Sequence, residues 1–512
     1  MSIQPENNKR IAKNTLLLYF RMLLTLPVSL YTSRVILQSL GVEDYGIYNV
    51  VGGVVSVFSI LSGSLSASIS RFFTFELGKN NIEKLKRVFS SALTIQIILA
   101  IVVIIFAQSI GLWFLNNKLV IPENRIIAAN WLYQFSIISF AINLIGVPYN
   151  SAIIAHERMA AFAYISVLEV ICKFIVALSI AISPIDKLIF YGLLLMLTSI
   201  IIRLVYRYYC KNKFIECCYK FCFDKKLLRQ MFSFAGWNFI GASSVVLRDQ
   251  GGNILINLFC GPKVNAAQAI AMQVSYTIQG FVTNFTTALN PQITKSYASG
   301  NLSYMMTLIF QGARLSFYIL LILSLPIIIN AKYILSLWLG VVPEHTVAFV
   351  QLVLIFIMSE SLASPLITAM LATGKIRNYQ LIVGGLQTLN LPISYVLLRM
   401  GFYPEVVFIT AIVISVCCEF ARLFMLKDMI NLPVRMFLKK VYFNVICVFA
   451  TAFIIPTLCK YFLDENFLNF CLICVICIIC TLLSILFIGC KSNERLLVYQ
   501  KSYYFIKKIL KK

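Results

Sequence analysis

The sequence predicts an all-α integral membrane protein of about 14 transmembrane helices, built as two six-helix lobes in parallel pseudo-repeat plus a C-terminal helix pair. Three observations predict it. The 512 residues are 60% apolar and 12% charged, with mean hydropathy +0.86, whereas a soluble domain is about 25% charged. Apolar runs recur from Leu16 to Gly489, each of about 20 residues or more, enough to cross ~30 Å of hydrocarbon as a helix. They are apolar all round, without the period-2 alternation over about 10 residues that marks barrel strands. Finally, the first half of the chain recurs in the second.

In order, the first lobe places helices over 14–39, 49–75, 88–113, 127–150, 160–182 and 187–209. The second places them over 231–258, 265–290, 307–330, 346–372, 378–399 and 404–426. The added pair covers 437–458 and 466–489. The first run is too long for a cleaved signal peptide and lacks a clear small-residue cleavage site, so its helix is expected to be retained. The chain thus divides into an N-terminal lobe (1–209), a basic linker (210–230), a C-terminal lobe (231–427), the helix pair (428–490) and a basic tail (491–512).

The net charge of +24 invites a nucleic-acid reading, but the positions of the charges argue against it. Of 44 Lys and Arg, 31 lie at the termini and the even-to-odd connections, 7 on the opposite side and 6 inside helices. This is the positive-inside pattern, and it puts both termini in the cytoplasm of a multi-pass inner-membrane protein. The tail residues Lys507, Lys508, Lys511 and Lys512 are expected to meet anionic lipid headgroups.

The repeat is read from matched punctuation. Ile121-Pro122-Glu123 recurs as Val342-Pro343-Glu344, 221 residues on. Pro148 stands seven residues before Ala155, as Pro365 does before Ala372. Arg158 matches Lys375, Gly41 matches Gly261 and Gly78 matches Gly300, all at offsets of 217 to 222. An even number of helices per copy makes the repeats parallel, with substrate expected between the lobes near mid-membrane.

Ionisable residues inside the helices carry most of the functional signal, because a charge at mid-bilayer costs ~2.5–3.5 kcal/mol even on a lenient scale. Glu169 and Lys173 are spaced to pair along one helix face. Arg71 and Arg314 lie near cytoplasmic helix ends, where they can snorkel. Arg21 lies about two turns into the first helix, so snorkelling and cavity lining are evenly matched for it. Arg34 lies beyond Pro27, which should kink the same helix. Arg248 and Asp249 sit deep in the seventh helix before Gly251-Gly252, and Glu360 is midway along the tenth. Arg and Lys outnumber acids inside the membrane, six to four with Glu419 included. That excess predicts an anionic substrate, and the planar guanidinium fork suits phosphate.

Other chemistries find little support. There is no GxxxxGK[ST] loop, HExxH, GxSxG or Cys/His arrangement. No metal is expected. Cys210, Cys217, Cys218 and Cys222 fall in a connection assigned to the reducing cytoplasm, without a zinc-spaced His. Cys471, Cys474, Cys477 and Cys480 sit in the last apolar helix as small apolar residues.

Gly41-Val42-Glu43-Asp44-Tyr45-Gly46-Ile47-Tyr48, after an Arg-bearing first helix, resembles the start of polysaccharide flippases of the MOP (MATE-like) superfamily. Ile256-Asn257-Leu258-Phe259-Cys260-Gly261-Pro262, Asn265-Ala266-Ala267, Asn284-Phe285, Asn290-Pro291-Gln292-Ile293 and Lys295-Ser296-Tyr297-Ala298 are similar to Wzx-type O-antigen and capsule flippases. The resemblance spans essentially the whole chain, and its motifs specify family better than substrate. It implies a non-enzymatic flippase that carries undecaprenyl-diphosphate-linked oligosaccharide from the cytoplasmic to the periplasmic leaflet by alternating access. It further implies H⁺ or Na⁺ coupling, and as partners the lipid-linked oligosaccharide, membrane lipids and other polysaccharide assembly proteins. Depth and charge then assign the diphosphate or acidic sugars to Arg34 and Arg248, and cations on the cytoplasmic approach to Arg21, Arg71 and Arg314. Ion coupling falls to Asp249 and Glu360. The rival within the same fold is an ion-coupled multidrug exporter, which would need an acidic cavity. A membrane glycan polymerase or ligase would need a large periplasmic loop, and a scaffold would need no buried Arg.

Overall fold

The computed structural model describes residues 3–56, 59–117, 121–220, 224–339, 342–464, 466–490 and 495. The basic tail therefore lies almost wholly outside the described residues. Among those described, every regular element is a helix. The first are α1 (Ile3–Ser56), α2 (Ser59–Gly78) and α3 (Ile82–Phe106), followed by a π-helical turn (Ala107–Gly111) and α4 (Leu112–Asn117). Next come α5 (Ile126–Ala155), α6 (Met159–Ser179), α7 (Lys187–Lys213) and α8 (Lys225–Ala298). The chain continues through α9 (Leu302–Ile329), α10 (Ala331–Leu339), α11 (Thr346–Thr373), α12 (Arg377–Thr388), α13 (Asn390–Arg399) and α14 (Val406–Ile430). A short α15 (Val434–Phe437) and a π-helical turn (Leu438–Phe443) lead into α16 (Asn444–Phe462) and α17 (Phe467–Ser484). A further π-helical turn, Ile485–Gly489, follows.

Starts are set by side-chain caps. Asn81, Asp186, Asp224 and Asn466 each accept backbone N–H groups of the first turn of α3, α7, α8 and α17. The two longest helices are not continuous rods. Gly41 breaks α1 with φ 84° and ψ 170°, and Gly261 breaks α8 with φ 79° and ψ 178°. Only glycine takes such angles without strain.

The protein is a multi-pass membrane protein. Eleven helical stretches among the described residues are long and apolar enough to cross a membrane. The 14 expected spans differ from these at 49–75, 231–258 and 265–290. The first is interrupted by undescribed residues and ends in the Ser-rich α2. The other two are the halves of α8, which carry the Arg248-Asp249 pair and many Asn, Gln, Ser and Thr. The break in the described residues removes the first, and the polar side chains of α8 keep length and apolarity from singling out the other two.

Two compact units emerge, Met1–Ser243 with Thr287–Asn301, and Ser244–Thr286 with Leu302–Lys512. In the first, Leu132, Tyr133 and Ala129 of α5 pack with Val51 of α1, Ala177 of α6 and Leu188 of α7. Tyr133 donates to the Ala107 carbonyl at 2.8 Å, satisfying a backbone group in the π turn. In the second, Phe349 and Leu354 of α11, Leu321 and Leu325 of α9 and Leu423 and Leu426 of α14 are fully buried.

Backbone punctuation recurs between the units' sequences. Left-handed residues stand at Gly41 and Gly261, at Asn80 and Gly300, and at Glu157 and Gly374. Pro148 inside α5 and Pro365 inside α11 recur likewise. The expected match of Gly78 to Gly300 is two residues out of register. The residue at Gly300's backbone position is Asn80, with φ 54°. Gly78 is glycine for another reason: a Cβ there would come within 2.9 Å of the Lys295 backbone.

Candidate substrate and coupling sites

In the first unit, a recess of about 1300 Å³ opens between α1, α5, α6 and α7. Its walls carry Ser29, Thr32, Ser136, Ser139, Asn143 and Ser199, with Tyr48, Tyr191 and Lys173. A hydroxyl- and amide-rich wall inside an apolar bundle offers many donors and acceptors, and a single cation. The ammonium of Lys173 is 2.6 Å from Glu169, one turn away on α6, and both side chains are exposed.

Cations are spread through the same unit. Arg21 donates to the Ser166 hydroxyl at 3.4 Å and lies over the Phe162 ring at 4.7 Å. Arg71 stacks over Phe72 and Phe75, each at 4.8 Å, and near Phe234 at 5.6 Å. Arg203 lies over Tyr149 at 4.0 Å. Arg34 is exposed and does not line the recess. Aromatic faces thus carry much of the cost of keeping these guanidinium groups among helices.

The second unit holds a smaller recess of about 580 Å³, lined by Arg248, Asp249, Gln268, Ser275, Tyr276 and Asn390 among others. Arg248 Nε donates to Asp249 Oδ1 at 2.8 Å, and its guanidinium lies 4.8 Å from the Phe356 ring centre. Adjacent residues on a helix point about 100° apart, so the two need not pair. The long Arg side chain instead bends back and binds its neighbour. Glu360 on α11 accepts from the Ser415 hydroxyl at 2.7 Å, and its charge acts on both Arg248 and Arg422. Glu419 on α14 accepts from Ser359 at 3.4 Å and from the Tyr442 hydroxyl. Arg422, 1% exposed, is hydrogen-bonded to Tyr379.

Polar clusters also sit at helix ends. Arg125 bridges Asp44 at 2.5 Å and Asp186 at 2.6 Å in the first unit. His345 meets Glu405 at 2.6 Å in the second, at the corresponding helix starts. Glu157, between α5 and α6, has a fully buried side chain that meets Lys295 at 2.6 Å, Gln292 at 2.7 Å and Arg10 at 2.8 Å. His156 pairs with Glu216 and stacks on Phe214 at 4.1 Å. Burial works to raise the Glu216 carboxyl, but the His156 hydrogen bond, the residue's own backbone N–H and the charges of His156 and Lys86 together outweigh it and hold the group below the ordinary carboxylate range.

Residues 11–297 match the sequence profile of the polysaccharide biosynthesis protein family. The chain belongs to that family. It is 21% identical over 326 residues to the uncharacterized membrane protein EpsK of Bacillus subtilis, covering 62% of this chain and 63% of that one. Among solved structures, it resembles an outward-facing multidrug resistance MATE family transporter of the MOP superfamily. The TM-score is 0.73 at 13% identity, over 83% of this chain and 96% of the other. It also resembles a MOP superfamily transporter from Pyrococcus furiosus, whose binding pocket is described as reversed in polarity. There the TM-score is 0.68 at 13% identity, over 84% and 96% of the two chains. The fold is that of MOP superfamily transporters.

Within this family member, Arg248, Asp249 and Glu360 come together in one unit. Arg21, Arg34 and Arg71 belong to the other unit. The Arg314 side chain is buried, and Nη1 donates to the Gly489 carbonyl at 2.9 Å. The last turn before Gly489 leaves carbonyls without helical partners, and Arg314 satisfies one of them. Sequence reasoning missed Arg422 and Tyr442, which lie near expected helix ends. It also missed the hydroxyl-lined recess, since scattered Ser and Thr leave no spacing signal.

Proposed function

We propose that the chain is a flippase that moves undecaprenyl-diphosphate-linked oligosaccharide from the cytoplasmic to the periplasmic leaflet of the bacterial inner membrane. It does so by alternating access, for surface polysaccharide such as O-antigen of lipopolysaccharide. The observation that carries this reading is that the family match covers nearly all of the unit whose recess is walled by hydroxyls and amides. Sugars are recognised by such groups, and the surrounding arginines suit a diphosphate. Arg34 and Arg248 bind the diphosphate or acidic sugars, Arg21 and Arg71 attract them on the cytoplasmic side, and Asp249 and Glu360 couple the cycle to H⁺ or Na⁺.

Arg248→Ala should abolish surface glycan at normal protein level, read by glycan staining of a deletion strain complemented in trans. Normal glycan in that strain would remove Arg248 from the cargo path.

A second reading, an ion-coupled multidrug exporter, draws on the acids of the second unit. Asp249, Glu360 and Glu419 there face two guanidinium groups, Arg248 and Arg422. A deletion strain that keeps its glycan and becomes drug-sensitive would favour this reading over the flippase.

A further inference from the structure

The C-terminal helices do more than add hydrocarbon contact. Between α15 and α16 the chain makes a π-helical turn, Leu438–Phe443. An extra residue in a helical turn re-aims the side chains around it, and such turns gather at functional sites. Here Val441 faces the packed interior and Tyr442 points its hydroxyl at Glu419 of α14. The Tyr442 ring is held between Phe420, with planes 9° apart, and Phe437, at 5.9 Å. Glu419 itself is 0% exposed. Among the described residues its carboxylate lies in no ion pair, whereas the carboxylates of Asp249 and Glu157 do. An isolated buried carboxylate is costly, and a second acid nearby, Glu360, adds to that cost.

The groups that face Glu419 are Ser359 and Glu360 of α11, Tyr442 of the π turn, and Arg422 one turn along α14. Tyr379 of α12 binds Arg422 from behind. Both direct partners of the carboxyl group are hydroxyls, which donate or accept as required. With a proton on Glu419, the acid O–H donates to the Ser359 oxygen and Tyr442 donates to the other oxygen. Without it, both hydroxyls donate to the carboxylate. Arg422, which has Nε and Nη1 without a hydrogen-bond partner, then supplies the nearest positive charge.

We propose that Glu419 is a proton-binding site, completed by the hydroxyl that the added C-terminal helices bring to it. The ionised carboxylate takes one proton from water and returns it to water. Its charge is felt at Glu360, and so at the Arg248–Asp249 recess. The proposal deepens the coupling part of the flippase reading by naming the ion, but it needs only the transporter fold.

The test is pH-difference infrared spectroscopy of the full chain in lipid nanodiscs. The native protein should show a protonated-carboxyl band that titrates. Glu419→Gln should lose it, Tyr442→Phe should shift it, and Glu360→Gln should keep it. A band that survives in Glu419→Gln, or a native spectrum with no titrating carboxyl, overturns the proposal. Should Glu419→Gln fail to fold, an unshifted band in Tyr442→Phe overturns it equally. Glycan export is read separately, so a chain with the band but no glycan transport loses the flippase reading alone.

Discussion

Glu157 has a left-handed backbone, φ 57°, and a side chain with no exposure, yet it gathers a guanidinium, an ammonium and an amide. A non-glycine residue in that region stores about 1–3 kcal/mol of strain, so its partners must outweigh it. Removing its charge leaves Lys295, largely buried, without a counterion. Breaking a buried pair in this way costs about 3–5 kcal/mol. Glu157→Gln should therefore lower the thermal-unfolding midpoint of the purified protein sharply. An unchanged midpoint would mean that the Glu157 cluster contributes no more than a solvent-exposed surface pair, at most about 1 kcal/mol.

A pH dependence belongs to Asp186. Burial works to raise its carboxyl, but hydrogen bonds from Arg125 and from the Ile189 and Leu188 N–H groups more than offset it, holding the group below its ordinary 3.8. A lowered folded-state value means that the stabilisation is full above the ordinary range and is lost as pH falls through the folded value. Unfolding of the native protein should grow easier as pH drops below about 4, and Asp186→Asn should flatten that slope. An unchanged slope in the variant would assign the acid sensitivity elsewhere. The long-range partners were not legible in the sequence, because Lys295 stands 138 residues from Glu157 and Arg125 stands 61 from Asp186.

At the scale of elements, the breaks at Gly41 and Gly261 were legible as a matched pair, and their angles agree within ten degrees. A Cβ would meet nothing within 4 Å at either position. The cost of Gly41→Ala or Gly261→Ala is thus backbone strain alone, about 1–3 kcal/mol each. Gly46→Ala is the control: it has the same open surroundings in helical backbone, and there alanine is favoured by up to about 1 kcal/mol. Thermal unfolding of the three variants checks this, and loss of stability in all three would point to packing instead. The π turns at 107–111, 438–443 and 485–489 were not legible. A helix that is apolar on every side carries no phase, so an inserted residue leaves no mark on the pattern. The membrane spans were hardest to count in α8, which is rich in polar side chains and also carries candidate site residues.

For the whole molecule, charge does two separate things. The surplus in the connections is expected to orient the chain, whereas several charges inside the bundle lie in pairs or on aromatic faces. Of the 44 Lys and Arg, 31 fall on the side assigned to the cytoplasm. Moving such a block across the membrane is opposed during insertion, so the bias predicts the orientation. The connection at Cys218 should then lie inside and the one at Tyr403 outside, both residues being exposed. Alkaline phosphatase fused after Tyr403 should be active, and green fluorescent protein fused after Cys218 or after Lys512 should fluoresce. Reversed signals at all three sites would invert the molecule. Arg125, Asp186, His345 and Glu405 would then face the cytoplasm, and Glu157 and His156 the periplasm. The acid sensitivity argued for Asp186 would no longer meet the outside medium, so the fusion result also decides whether that sensitivity can act in the cell.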